Sequence, residues 1–158
     1  MPATTYDAFI SYAESDASFV RDLADALRRR GVRVWPDEGK LRRGDAVLRS
    51  LERALKASRH FLLVISPDYL ASSRGNFEMG VALAHGPILP ANRIIPLYTA
   101  RVEPSAVPSP IADLAGLRAG SMPVDELALK VAELIKRGNR GNRAARQKPA
   151  AANVPAQH

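Results

Sequence analysis

Glu78 is the residue through which chemistry in this chain would run. It sits in Asn76-Phe77-Glu78-Met79-Gly80, between two apolar side chains. On the first turn of an expected helix, its carboxylate would lie in the field of the positive helix end. The plainer alternative is an acid that only stabilises that helix terminus. Other chemistries lack their residues. The chain has no cysteine, so thiol nucleophiles, thiolate metal sites and disulfides are excluded. His60, His85 and His158 have no metal-ligand spacing and read as structural. No metal is expected. No Gly-Lys-Ser/Thr and no Gly-x-Gly-x-x-Gly after the first strand offers a phosphate cradle. No Ser-His-Asp arrangement can be argued. A phosphoacceptor receiver domain needs an Asp ending the third strand. That strand ends Val64-Ile65-Ser66-Pro67, and Asp68 falls in the next helix.

The elements that must position Glu78 alternate strand and helix. Tyr6 to Ser11 reads as a first strand. Ser15 is expected to cap a helix with Phe19, Val20, Leu23, Ala24 and Leu27 at helical spacing. Arg28-Arg29-Arg30 and then Gly31 suit its C-terminus. Val32 to Trp35 reads as a second strand, followed by a charged loop from Pro36 to Gly44. Asp45 caps a second helix carrying Leu48, Leu51, Ala54 and Leu55. Phe61 to Ile65 is a continuous apolar run, the mark of a central parallel strand. Ser66-Pro67 starts a short helix, and Asn76 to Ala84 forms another. Ile94 to Tyr98 is a fourth strand, with Pro96 suggesting an edge or a strand end. Leu114 to Leu117 is a short fifth edge strand. Pro123 to Lys136 is the last helix.

This order predicts a flavodoxin-like, doubly wound, parallel five-stranded sheet with helices on both faces. Ligands of such sheets bind beyond the carboxyl ends of the strands. Ser11 to Ser15, Trp35 to Asp45 and Ser66 to Glu78 converge there.

The net charge of +7 is unevenly placed. Lys136, Arg137, Arg140, Arg143, Arg146 and Lys148 fall in residues 136–158, which hold no Asp or Glu. The body is near neutral, so no nucleic-acid face is expected. Residues 1–136 are expected to form the domain. Residues 137–158, without an apolar period, are expected to be a disordered basic tail or linker. No apolar run reaches the roughly 18–20 residues of a membrane helix. No signal peptide is expected at the N-terminus, and the cysteine-free composition suits the cytoplasm.

Four motifs resemble the Toll/interleukin-1 receptor (TIR) domain, in its bacterial form. Tyr6-Asp7-Ala8-Phe9-Ile10-Ser11-Tyr12, followed by Asp16, is similar to its opening motif. Gly31-Val32-Arg33-Val34-Trp35-Pro36-Asp37-Glu38 resembles its second strand and the BB loop, and Gly44-Asp45 enters the next helix as in the family. Phe61 to Leu70 resembles its third strand and Ser-Pro-x-Tyr exit. Phe77-Glu78-Met79-Gly80 sits where the family keeps a glutamate. The match covers roughly residues 5–136.

The resemblance implies two functions. Some TIR domains hydrolyse or cyclise NAD+, breaking the nicotinamide–ribose bond. NAD+ is then a substrate, and no cofactor is implied. Glu78 would support the oxocarbenium-like ribose, as glycosidase carboxylates do. Phe9, Ser11, Tyr12, Trp35, Arg74, Asn76 and Phe77 would shape the site. Arg74 stands where many NAD-cleaving members carry Trp; a guanidinium also stacks on rings and pairs with phosphate. Trp35 reads equally well as core, and Asn76 as a helix cap. Other TIR domains are non-catalytic scaffolds. The resemblance implies self-association, as a dimer or filament, or pairing with another TIR domain. Asp37, Glu38, Arg42 and Arg43 form the mixed-charge loop for this. The Glu78 stretch also resembles nucleoside deoxyribosyltransferase-like proteins, against which the Ser-Tyr and loop motifs argue.

Overall fold

The computed structural model describes residues 6–35, 53–72, 76, 78, 80, 93–99, 102–114 and 116–147. Within them a parallel sheet is built from β1 (Tyr6–Ser11), β2 (Ser58–Ile65), β3 (Ile94–Tyr98) and β4 (Leu117–Arg118), in that order. The described helices include α1 (Ala17–Arg29), α2 (Pro67–Ala71), α3 (Ser109–Ala112) and α4 (Val124–Gln147). Residues 53–57 are also helical.

Among the described residues the sheet has four strands, where five are expected. The expected second strand is reduced to one parallel bridge, Ala8 to Val34. The bridge still puts residues 32–35 on the free side of β1, in the place a flavodoxin-like order assigns to a second strand. Trp35 N–H donates to the Ala8 carbonyl at 2.8 Å. Among the described residues this bridge is the segment's one pairing.

β2 is central, with β1 on one side and β3 on the other. Its alternate side chains enter opposite cores. Leu62 and Val64 join Ala8, Ile10, Ile95 and Leu97 under α1 and α4. Phe61, Leu63 and Ile65 join Ile94 and Tyr69 on the other face. Each such side chain contributes roughly 1.5–3 kcal/mol by leaving water. That explains a run in which both phases of the strand are apolar.

Pro96 does not mark a sheet edge, because β3 is flanked by both β2 and β4. Backbone groups of alternate residues in a strand point to alternate sides. Tyr98 accepts from Ala119 N–H on the β4 side, so Pro96 faces that side too. There the ladder begins only at Leu97 and Leu117, and no donor is demanded of Pro96. The edge strand is Leu117–Arg118, a little beyond the expected Leu114 to Leu117.

Ser15 does not cap α1. A 3-10 turn, Glu14–Asp16, leads into the helix, and the Ser15 hydroxyl is used elsewhere. The other end of α1 closes as the sequence suggests. Gly31 N–H donates to Arg28 O and Val32 N–H to Leu27 O, both at 3.0 Å, with Gly31 at φ +82°. This is a Schellman closure, and Val32 and Leu27 share one core beside it.

The last helix continues past Lys136 to Gln147. Leu127, Ala128, Val131, Ala132 and Ile135 are buried against the sheet and α1. Beyond Lys136 the arginines and Ala144-Ala145 favour helix while Gly138, Asn139, Gly141 and Asn142 do not, and cations suit the C-terminal end. The helix thus runs on where the missing apolar period suggests a tail. Residues 148–158 lie outside the described residues. No described helix is long and apolar enough to cross a membrane.

Candidate active site

The topology fixes where a ligand would sit. From β1 the chain crosses to Val34 on one side, then returns as β2 on the other. Connections that diverge in this way leave a crevice at the carboxyl ends of β1 and β2. Ser11 closes β1, and Ser66 follows the last residue of β2.

Ser11 and Phe9 point to the face that carries α2, since Ala8 and Ile10 fill the opposite core. Phe9 stacks on Phe61, with ring centroids 5.0 Å apart and planes 17° from parallel. Ser11 is 1% exposed and its hydroxyl donates to Glu78 Oε2. Ser11 Oγ also lies 2.8 Å from the Tyr69 hydroxyl. Glu78 is helical and only 4% exposed. An acid seated this deeply is not a solvated terminus of a surface helix. Burial of a carboxylate is costly unless its oxygens are hydrogen-bonded, and Ser11 supplies one such bond.

Tyr69 is placed by α2. Ser66 caps that helix, accepting Tyr69 N–H at 3.0 Å, with Pro67 in the first turn. The Ser66 hydroxyl donates in turn to Asp16 Oδ2 at 2.6 Å. Beside it, Ser15 donates to Asp68 Oδ2 at 2.7 Å. Two crossed pairs thus bind the turn after β1 to the first turn of α2. They fix the spacing of the two segments that carry Ser11 and Tyr69.

The remaining expected site residues divide. Tyr12 is half-buried and packs toward the α1 side. Trp35 is half-buried, and its ring meets Tyr6 edge-on with centroids 5.0 Å apart. Tyr6 begins β1 and Ser11 ends it, roughly 16 Å apart at the usual rise per residue. Trp35 therefore packs toward the amino end of the sheet. Asn76 spends its amide on the Leu70 and Ser72 carbonyls, each at 3.0 Å. It closes the end of α2 and carries Glu78 two residues on. Arg74 and Phe77 lie outside the described residues, as do Asp37, Glu38, Arg42 and Arg43 of the loop.

His60 has a structural place. It is 3% exposed at the start of β2, and Nδ1 lies 3.3 Å from the Asp7 carbonyl. Burial, reinforced by Arg93, pushes its pKa below the ordinary value, against the opposing influence of Asp7. Among the described residues no group of three or more His, Cys, Asp or Glu could hold a metal.

Sequence reasoning passed over Tyr69, Ser66 and Asp16. The signal was present in Ser66-Pro67-Asp68-Tyr69, which sets Tyr69 on the first turn of a capped helix. What the residue touches depends on strand order, which the motif alone does not give.

A family model described as the TIR domain matches residues 8–129. This chain belongs to the TIR-domain family. It is 32% identical over 133 residues to the 2′ cyclic ADP-D-ribose synthase BtTIR of Bacteroides thetaiotaomicron, across 80% of this chain and 45% of the relative. It is also 32% identical over 138 residues to the NAD(+) hydrolase TcpC of Escherichia coli O6:H1, across 85% and 45% of the two chains. The chain thus spans about half the length of the curated relatives it matches. Its fold is shared with the TIR domain of the Toll-related receptor TRR-2 from Hydra magnipapillata. That match has a TM-score of 0.59 and 24% identity, over 72% of this chain and 84% of that one. The TIR motifs seen in the sequence therefore sit on a TIR fold, and Glu78 stands at its switch-point crevice.

Proposed function

We propose that this TIR domain cleaves the bond between nicotinamide and ribose in NAD+. The observation that carries the reading is Glu78, buried at the carboxyl ends of β1 and β2 and held there by the Ser11 hydroxyl. The names of relatives that act on NAD+ or make cyclic ADP-D-ribose support the same class of reaction.

In this reaction the C1′–N bond breaks and neutral nicotinamide leaves with the electron pair. Positive charge develops on the ribose ring, and a fixed carboxylate beside it stabilises that charge. Water then adds at C1′ and releases a proton, giving ADP-ribose. If a hydroxyl of the same molecule adds instead, the product is cyclic. Glu78 is the catalytic residue of this scheme, and Ser11 sets its orientation. Phe9, Arg74, Asn76 and Phe77 belong to the wider site in this reading, whereas Trp35, against Tyr6, and Tyr12, on the α1 side, stand apart from the Glu78 face. NAD+ is the substrate, with no cofactor. The site is completed by self-association through Asp37, Glu38, Arg42 and Arg43, in bacterial signalling or defence within the cytoplasm. A scaffold that only pairs with other TIR domains is the second reading, favoured by Arg74 at the position where many NAD-cleaving members carry Trp.

Nicotinamide release from NAD+ over a protein concentration series tests the proposal. Specific activity should rise with concentration as the chains associate. Protein that releases no nicotinamide at any concentration, with or without a crowding agent, contradicts it and leaves the scaffold reading.

A further inference from the structure

The direction of the hydrogen bonds around Ser11 can be derived. A serine hydroxyl has one proton and two lone pairs. Ser11 spends its proton on Glu78 Oε2. Toward Tyr69, 2.8 Å away, it therefore accepts, and the Tyr69 phenol is the donor. The proton order is fixed as Tyr69 to Ser11 to Glu78.

From this we propose that Tyr69 is a positioning residue, whose phenol holds the Ser11 hydroxyl in the rotamer that binds the Glu78 carboxylate. The inference rests on the proposed role of Glu78 and adds a residue to it. Tyr69 is fully buried, so a substrate in the crevice does not reach it, and its hydroxyl acts on the site through Ser11. Its backbone is anchored as well, since Tyr69 N–H donates to Ser66, which donates to Asp16. Without the phenol, Ser11 keeps one acceptor and loses the donor that fills its lone pair. Its hydroxyl is then held by the bond to Glu78 alone. Glu78 keeps its place in the chain but loses a fixed oxygen, and catalysis depends on such placement to within a fraction of an ångström.

The test is a double-mutant cycle on Y69F and S11A. Phenylalanine keeps the ring that fills the core and removes only the hydroxyl. Y69F should lower kcat about tenfold, the scale of one lost hydrogen bond, with KM for NAD+ unchanged within about twofold. In the S11A background, Y69F should have no further effect. A general loss of stability would lower activity by the same factor in both backgrounds, and that outcome overturns the proposal. So does Y69F with wild-type kcat.

A second readout does not need turnover. The isotope-labelled side-chain carboxyl carbon of Glu78, identified by its absence from E78A, should shift in Y69F but not between S11A and S11A/Y69F. If wild type proves inactive on NAD+, the proposed function fails while this resonance still decides the relay. An unmoved resonance in Y69F refutes the role of Tyr69 whatever the activity.

Discussion

The Ser11 hydroxyl at the end of β1 donates to the carboxylate of Glu78, 67 residues further along the chain. Both groups are buried, and both belong to the crevice that the crossover from Val34 to β2 leaves open. The bond joins a strand end to a helical segment, so sheet order and site geometry are one problem here. Changes that disturb either should be separable by measuring stability and turnover together.

Ser11→Ala removes a donor from Glu78 and an acceptor from Tyr69 while leaving both in place. A hydrogen bond lost at a buried polar group costs about 1–3 kcal/mol. S11A should therefore lower the urea midpoint without changing the slope. It should also lower kcat more than it raises KM. A variant as stable as wild type would show that the Ser11 bonds contribute nothing net.

Ser66→Ala loses the cap of α2 and the donor to Asp16 in one step. Loss of a serine cap costs roughly 1 kcal/mol. Because Asp16 retains exposure to water, its share is the smaller one. Equilibrium unfolding should show S66A destabilised, with S66T, which keeps a hydroxyl able to cap the helix and donate to Asp16, recovering much of the loss.

Gly31 lies at φ +82°, with open space where a Cβ would point. Conformation and not crowding makes the position demanding. Gly31→Ala should destabilise by about 1 kcal/mol, the usual cost of a left-handed non-glycine residue. G31N should be milder, because asparagine tolerates that region. Thermal unfolding of the three proteins gives the order.

His60 and Gly138 make a linked pair. A Cβ on Gly138 would stand 2.5 Å from His60 Nε2, and the ring is buried with little room to move. Alanine would add roughly 1 kcal/mol of helix propensity, but the overlap outweighs it, at about 1–3 kcal/mol for overpacking. G138A should destabilise the wild type and stabilise the H60A background. The pH dependence has a definite sign. Burial lowers the folded-state pKa of His60 below 6.5, so the fold favours the neutral ring. Its contribution is complete above 6.5 and is lost as pH falls through that value toward the lower folded pKa. Unfolding free energy measured from pH 7.5 to 5 should fall more steeply for wild type than for H60Q.

Particular residues show what was legible in the sequence. Phe61 to Ile65 announced a central strand because both faces of β2 are covered. Gly31 after three arginines announced a helix end because the left-handed turn needs glycine. Pro96 misled, because a missing N–H is harmless wherever the neighbouring strand has not yet begun. Val32 to Trp35 has strand composition, yet pairing takes a second chain at the right height, and β1 meets it at one bridge. The α4 extension was hidden because residues 137–147 carry no apolar period and hold two glycines and two asparagines, poor helix formers. Glu78 was legible as an acid between Phe77 and Met79. Its bond to Ser11 was not, since contact between distant segments depends on strand order.

The central claim is that the Glu78 carboxylate supports cleavage of NAD+. Nicotinamide release by E78Q against wild type, at a concentration where wild type is active, tests it most directly. Glutamine keeps the size of the side chain and an oxygen able to accept from Ser11, and removes the charge. The account predicts a fall in kcat of roughly 100-fold or more, the scale of a lost electrostatic stabiliser, with the unfolding midpoint little changed. Activity retained in a folded E78Q would contradict it.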